Sequence, residues 1–221
     1  MVGDIHGCDD LLKCLIEKID KDASDRPHDL VFVGDYVDRG EASASVITRL
    51  HALLRQDHVT CLMGNHERML LDFLDDPVKN GRYWFSNGGL QTLASFGVGR
   101  VTETASPEVM VKARDTFERK LGPLKYWLSN LRLCFQSVNI FTTHAAAHPR
   151  HSIENQPAKV MLWGNGEFLQ ETRQDGNWVV HGHYVVENPL SRNGRIGVDT
   201  GACATGRLTS AKIEKNRFSF L

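Results

Sequence analysis

The chain has no CxxC pair, no charge excess and no long apolar run, and each absence removes a class of function. The five cysteines (Cys8, Cys14, Cys61, Cys134, Cys203) are odd in number and unpaired by spacing. That argues against a disulfide framework and for a reducing compartment, so a cytoplasmic location is expected. Acidic and basic residues nearly cancel, at 27 against 26. No electrostatic footprint for nucleic acid or an anionic membrane follows from that balance. No apolar run approaches the roughly 18–20 residues of a membrane helix, and the N-terminus lacks a basic-then-apolar signal pattern. There is no internal repeat, low-complexity tract or clean linker. A single domain over residues 1–221 is expected, with a helical lobe at about 77–130.

What is present is an alternating rhythm of strand and helix. Met1-Val2 reads as the end of a strand that stops at Gly3. Either the native chain starts upstream or this strand is short. A helix is expected from Asp9 or Asp10 to about Ile19, with Leu11, Leu12, Leu15, Ile16 and Ile19 at helical spacing. Residues 29–33 and 59–63 read as buried strands, and residues 43–54 and 66–74 as helices. This β-α-β-α-β order predicts a mostly parallel sheet covered by helices, with sites at the carboxyl ends of its strands. Residues 108–127 read as a helix bent or broken at Pro123. Short strands then follow at 131–135, 140–143, 178–181, 195–198, 206–209 and 217–220, enough for a second, mixed sheet.

Five short stretches, four of them containing glycine, sit at these strand ends: Gly3-Asp4-Ile5-His6-Gly7, Gly34-Asp35-Tyr36-Val37-Asp38-Arg39-Gly40, Gly64-Asn65-His66-Glu67, Thr143-His144-Ala145 and His181-Gly182-His183. Asp4 and His6, one residue apart, can reach one ion. Asp35 is placed to bridge two ions, one carboxylate oxygen to each. Asn65, His144 and His183 complete the donor set of the second ion. Oxygen and imidazole without thiolate suit Mn, Fe or Zn, with Mn expected. Two adjacent divalent ions supply a nucleophile at neutral pH and neutralise phosphate charge, which is what phosphate ester hydrolysis needs. His66, beside Asn65, is the expected general acid, Asp38 its orienting carboxylate, and Arg39 a fork for two phosphate oxygens.

Those motifs, in that order, resemble the metal-dependent phosphoprotein (serine/threonine) phosphatases within the calcineurin-like metallophosphoesterases. Gly197-Val198-Asp199-Thr200-Gly201-Ala202 is similar to the family's late strand and turn. The compact length and the Trp84…Asn87-Gly88-Gly89…Thr92-Leu93 stretch are more similar to the small bacterial and phage members. The resemblance runs from Gly3 to about Thr209. It implies an α/β fold: a four-layer β-sandwich flanked by helices, with a helical lobe. It also implies a binuclear centre with Asp4, His6 and Asp35 on one metal and Asp35, Asn65, His144 and His183 on the other. His66, Asp38 and Arg39 take the catalytic roles. The implied reaction is hydrolysis of phosphomonoesters, with phosphoserine or phosphothreonine in a phosphoprotein or phosphopeptide as substrate. Alternatives are a diadenosine tetraphosphatase-type nucleotide hydrolase and a catalytically decayed metal-binding scaffold. GNHE and the aspartate of Asp38-Arg39-Gly40 argue against the nucleotide type, which tends to show GNHD and to lack that aspartate.

The chain departs from the pattern near Trp163. Small members often carry a second phosphate-binding arginine shortly after a Leu-Trp pair, but Leu162-Trp163 is followed here by Gly164-Asn165-Gly166. Arg68, Arg150 or Arg173 are the possible substitutes. Tyr184 stands where the family often has threonine. His181 is expected to face away from His183, as alternate strand residues do. Glu67 reads as a helix N-terminal charge complementing the dipole, and Trp84, Phe85 and Phe96 as lobe core.

Overall fold

Short apolar runs that stop at glycine form the inner strands. In the computed structural model, which describes residues 1–24, 26–215 and 217–221, β1 (Leu30–Phe32) and β2 (Val59–Cys61) pair in parallel, Leu30 opposite Val59. Val2 joins them through two isolated bridges, parallel to Phe32 and antiparallel to Ser210. Both strands are three residues long. Helix α1 (Asp9–Ala23) buries Leu12 and Leu15, and α2 (Ser43–Leu53) buries Val46, Ile47 and Leu50. Helix α3 (Asn65–Asp75) is buried over most of its length and opens directly on the third glycine motif.

The second half supplies a five-stranded mixed sheet. Its strands are β3 (Cys134–Ser137), β4 (Ile140–Thr143), β5 (Trp178–His181), β6 (Leu190–Arg192) and β7 (Arg195–Gly197), in the order β3-β4-β5-β7-β6. β4, β5 and β7 run parallel, with antiparallel edges. The hairpin of β8 (Ala211–Glu214) and β9 (Arg217–Phe220) adds the third β unit. Val33, Val180, Ile196, Val198 and Ala211 form one buried cluster between the two sheets. On the far face of the larger sheet, Phe141 and Val179 pack on Ile153, Met161 and Phe168. Met161 belongs to α8 (Ala158–Trp163) and Phe168 to α9 (Gly166–Gln170). Helix, sheet, sheet and helix therefore stack in four layers, the expected architecture.

Between the halves, residues 77–129 are mostly helical: α4 (Pro77–Trp84), a turn kinked at Gly88 (Phe85–Gly89), α5 (Leu90–Ser95), α6 (Pro107–Leu121) and α7 (Leu124–Ser129). Trp84 is wholly buried among Phe73 (4.8 Å between ring centroids), Phe85 and Phe117 (both 5.9 Å). Each such buried side chain contributes about 1.5–3 kcal/mol, which makes this region a firm wall beside the strand ends.

Several boundaries differ from expectation for local reasons. The helix expected over 108–127 ends at Leu121, because Gly122 takes φ 52° and Pro123 has no N–H with which to continue it. No strand forms at 206–209. Residues 202–205 make a helical turn, α10 (Ala202–Thr205), closed by left-handed Gly206, and the strand starts at Ala211 instead. The strand expected at 131–135 starts at Cys134. β6 was not foreseen: all three of its residues are exposed, so no hydrophobic alternation marks it.

Candidate metal centre

All five motifs meet at the carboxyl ends of the inner strands. Asp4 and His6 follow Val2, Asp35 follows β1, Asn65 opens α3 after β2, His144 follows β4 and His183 follows β5. Asp4, His6, Asp35, Asn65 and His144 are buried, and His183 is half-buried. His144 Nε2 lies 3.4 Å from Asp35 Oδ1 and 2.8 Å from Asn65 Oδ1. His183 Nδ1 is 3.0 Å from the same Asn65 oxygen. His6 Nε2 is 3.5 Å from Asp35 Oδ2. Asp35 thus faces His6 with one oxygen and His144 with the other. Two donor groups converge within 4.8 Å, His6-Asp35-His66 and Asp35-His144-His183. The loops that achieve this are strained: His6, Asp35, Asp38, Arg39 and His183 all adopt positive φ, between 46° and 71°. Space is also tight. A Cβ at Gly182 would sit 1.9 Å from Asp4 Oδ1, and one at Gly64 would sit 2.2 Å from Asp35 Oδ1.

The donor set suits divalent cations. His6 Nδ1 donates to the Val37 carbonyl (2.9 Å) and His144 Nδ1 to the Val33 carbonyl (3.2 Å). Each bond fixes the tautomer and leaves the Nε2 lone pair facing the cluster. Burial pushes His6 down to about 3 and His144 to about 4, so both rings are neutral at pH 7, as ligation requires. Asp4 Oδ1 is buried without a hydrogen-bond partner, while Oδ2 accepts the His183 backbone N–H at 3.0 Å. Burial, then the Asp199 and Asp35 carboxylates, push Asp4 well above the usual range. An orphaned buried oxygen among carboxylates and neutral imidazoles is what a cation would satisfy.

Beside this cluster lies a histidine–carboxylate pair. His66 Nδ1 donates to Asp38 Oδ2 at 2.7 Å, leaving Nε2 toward the cluster, 3.9 Å from Asp35 Oδ2. Burial opposes the charged ring, but the Asp35 and Asp38 carboxylates outweigh it and raise the pKa. Arg39 is exposed at the rim and spans the two halves. Its Nη1 donates to His6 Nε2 at 3.0 Å and its Nη2 to His66 Nε2 at 3.1 Å.

Three supporting residues were assigned simpler roles from the sequence, or none. Glu67 does more than complement a dipole. Its Oε2 accepts the N–H groups of Asp35 (2.8 Å) and Gly64 (2.9 Å), and its Oε1 those of Tyr36 (2.8 Å) and Val37 (3.4 Å). Trp84 is core, as expected, but its Nε1 also donates to both Asp38 oxygens, at 3.1 and 2.9 Å. Thr92 Oγ1 donates to Asp38 Oδ1 at 2.6 Å. The glutamate of the GNHE motif was the one signal in the sequence for such a clamp. No local pattern announces Trp84 or Thr92, which lie 46 and 54 residues from their partner.

The three arginines considered as a second phosphate clamp are occupied elsewhere. Arg68 pairs with Asp72 and Asp75, Arg150 with Glu171, and Arg173 with Asp175. At the departure near Trp163, Asn165 caps α9 by accepting the Phe168 N–H (2.9 Å). Tyr184 fills the space over Gly164, where a Cβ would fall 1.9 Å from its hydroxyl. The two sequence departures are thus one packing solution. His181 is buried against Phe168, with Nδ1 donating to the Gly182 carbonyl at 2.9 Å.

Residues 1–187 match the family described as "Calcineurin-like phosphoesterase". Among characterised relatives, the chain is 39% identical to serine/threonine-protein phosphatase 1 of Salmonella typhimurium, over 97% of this chain and 91% of that protein. It is 26% identical to the asymmetrical bis(5'-nucleosyl)-tetraphosphatase PrpE of Oceanobacillus iheyensis, over 99% and 89% of the two chains. The fold matches a crystal structure of a candidate diadenosine tetraphosphatase with a TM-score of 0.65, at 20% identity, covering 100% of this chain and 90% of that one.

Proposed function

Because the chain belongs to the calcineurin-like phosphoesterase family, we propose that it hydrolyses phosphomonoesters, with phosphoserine and phosphothreonine in proteins as its substrates. The observation that carries this reading is the buried His66–Asp38 pair, set 2.7 Å apart beside a cluster of acceptor atoms and faced by Arg39. The family holds a binuclear divalent-metal centre, and Asp4, His6, Asp35, Asn65, His144 and His183 are the residues that would hold it here, with Mn as the preferred metal. Such a pair supplies a nucleophile at neutral pH and neutralises the charge of the phosphate.

The chain's own residues account for the rest. Arg39 presents a planar fork to two non-bridging phosphate oxygens and turns the phosphorus toward the buried carboxylates. His66, whose imidazolium the Asp35 and Asp38 carboxylates favour against the cost of burial, delivers a proton from Nε2 to the departing serine or threonine oxygen once Arg39 has turned from that nitrogen to the phosphate. Asp38 holds the ring through Nδ1, and Trp84 and Thr92 hold Asp38 in turn. The alcohol then leaves uncharged, inorganic phosphate leaves as the anion, and no covalent phosphoenzyme forms.

The 39% identity to a serine/threonine phosphatase supports the protein substrate. A nucleotide hydrolase is the second reading, favoured by the bis(5'-nucleosyl)-tetraphosphatase relatives that align over 99% of the chain. The deciding experiment measures kcat/KM for a phosphoserine peptide and for diadenosine tetraphosphate in the same Mn²⁺ buffer. A higher value for the peptide is expected, and the reverse order overturns the proposal. A protein that binds metal yet turns over neither these nor p-nitrophenyl phosphate would be a scaffold. Five free thiols and no helix long and apolar enough to cross a membrane, among the described residues, are compatible with work in the cytoplasm.

A further inference from the structure

Outside the metal cluster, the lobe forms a groove of about 470 Å³ that begins at Arg39 and is lined by Phe85, Ser86, Asn87, Gly88, Gln91 and Glu103, with Leu90 beneath. Its position relative to the phosphate grip is rigid. Gly88, at φ 103°, turns its carbonyl to accept the Arg39 N–H at 3.3 Å, and a side chain at 88 would collide with Arg39. The guanidinium of Arg39 points out of the groove, to His6 and His66. Glu103 is then the one charged side chain left in the lining. It is exposed, and among the described residues no hydrogen bond or ion pair uses its carboxylate. Gln91 is likewise exposed with a free amide, and the Asn87 amide nitrogen is engaged with the Tyr83 carbonyl (2.8 Å), which leaves its oxygen outward. The groove therefore offers one unpaired charge, the Glu103 carboxylate, beside the amide oxygens of Asn87 and Gln91.

We propose that this groove is a specificity subsite for a cationic side chain, arginine or lysine, that flanks the phosphorylated residue of a peptide. The inference rests on the phosphoprotein reading and deepens it. A substrate phosphate held by Arg39 places the neighbouring residues of an extended peptide along the groove at about 3.3 Å per residue. A guanidinium or ammonium there meets the Glu103 carboxylate and the amide oxygens of Asn87 and Gln91. A polyphosphate chain on the same path would meet an unpaired carboxylate, so Glu103 also selects against nucleotides. Because the pair is solvent-exposed, its effect is modest and falls with added salt.

The test uses phosphoserine peptides identical except for one flanking residue, set to Arg, Gln or Glu at each position in turn. For the wild-type protein at low salt, one or two positions should show kcat/KM about two- to five-fold higher for Arg than for Gln, and lower again for Glu. Glu103→Gln should bring the Arg and Gln peptides level, and Glu103→Lys should invert the order. Turnover of p-nitrophenyl phosphate, which does not reach the groove, should be unchanged in both variants and certifies that they are folded. An arginine preference that survives Glu103→Gln, or phosphopeptide hydrolysis indifferent to flanking charge, overturns the subsite and leaves the phosphatase reading standing. Failure to hydrolyse any phosphopeptide, with p-nitrophenyl phosphate turnover intact, overturns the phosphoprotein reading and the subsite together.

Discussion

Glu67→Gln isolates the clamp behind the metal cluster. The substitution keeps shape and volume but replaces one carboxylate oxygen with an NH₂ donor. Each Glu67 oxygen now receives two backbone N–H groups, from Asp35 and Gly64 on one side and from Tyr36 and Val37 on the other. Whichever side receives the NH₂ will set donor against donor and lose two contacts to a charged acceptor. At about 1.5 kcal/mol each, the loss is about 3 kcal/mol, a large share of the stability of an ordinary domain. For a chain of this size that corresponds to a fall in Tm of about 6–12 °C. The local effect should be larger than the global one. Asp35 is held at φ 53°, a conformation its neighbours must enforce, and the Glu67 bond to its N–H is part of that enforcement. Mn²⁺ affinity should therefore drop about 10- to 100-fold, the scale seen when partners of metal ligands are removed. Calorimetry and metal titration of the two proteins measure both quantities. Glu67→Gln with unchanged Tm and unchanged Mn²⁺ affinity would refute the clamp. Glu67→Asp, one methylene too short to span all four amides, should behave like the glutamine variant.

Three further outcomes follow from the same geometry. His66→Asn should lower kcat by about 100- to 10,000-fold while bound metal stays near the wild-type level; loss of metal in proportion to activity would instead make His66 a ligand. Trp84→Phe keeps the lobe packed but removes the indole N–H from Asp38, so kcat should fall about tenfold or more with KM little changed. A fall in KM-linked binding alone would count against a role through Asp38. Mn²⁺ at 100 times its dissociation constant should stabilise the fold by about 2.7 kcal/mol, and a chelator should reverse the shift and abolish turnover. No shift on adding Mn²⁺, Fe²⁺ or Zn²⁺ would contradict the donor-set reading.

Legibility in the sequence follows the range of the interactions involved. The candidate donor residues lie in short stretches at strand ends, four of the five containing glycine. Asp4, His6, Asp35, Asn65, His144 and His183 could be nominated because each sits where an apolar run stops, and such runs end on one edge of a parallel sheet. The inner strands and helices α1, α2 and α3 were readable for a similar reason, since burial on a sheet or along a helix face imposes a period on the chain. The exposed edge strand β6 has no such period and left no trace.

Residue chemistry along the chain thus pointed to the candidate donors and to the layered α/β fold. Tertiary packing alone decided what holds that centre in shape. Trp84 and Thr92 reach Asp38 only because the lobe folds back across the strand ends, and Glu67 serves Asp35 across 32 residues of chain. It also drew Arg150 to Glu171, 21 residues along the chain, whereas Arg68 and Arg173 pair locally with Asp72 and Asp175. The groove ending at Glu103 belongs to this second class, because its walls come from the turn kinked at Gly88 and a loop whose meeting depends on how the aromatic core of the lobe packs.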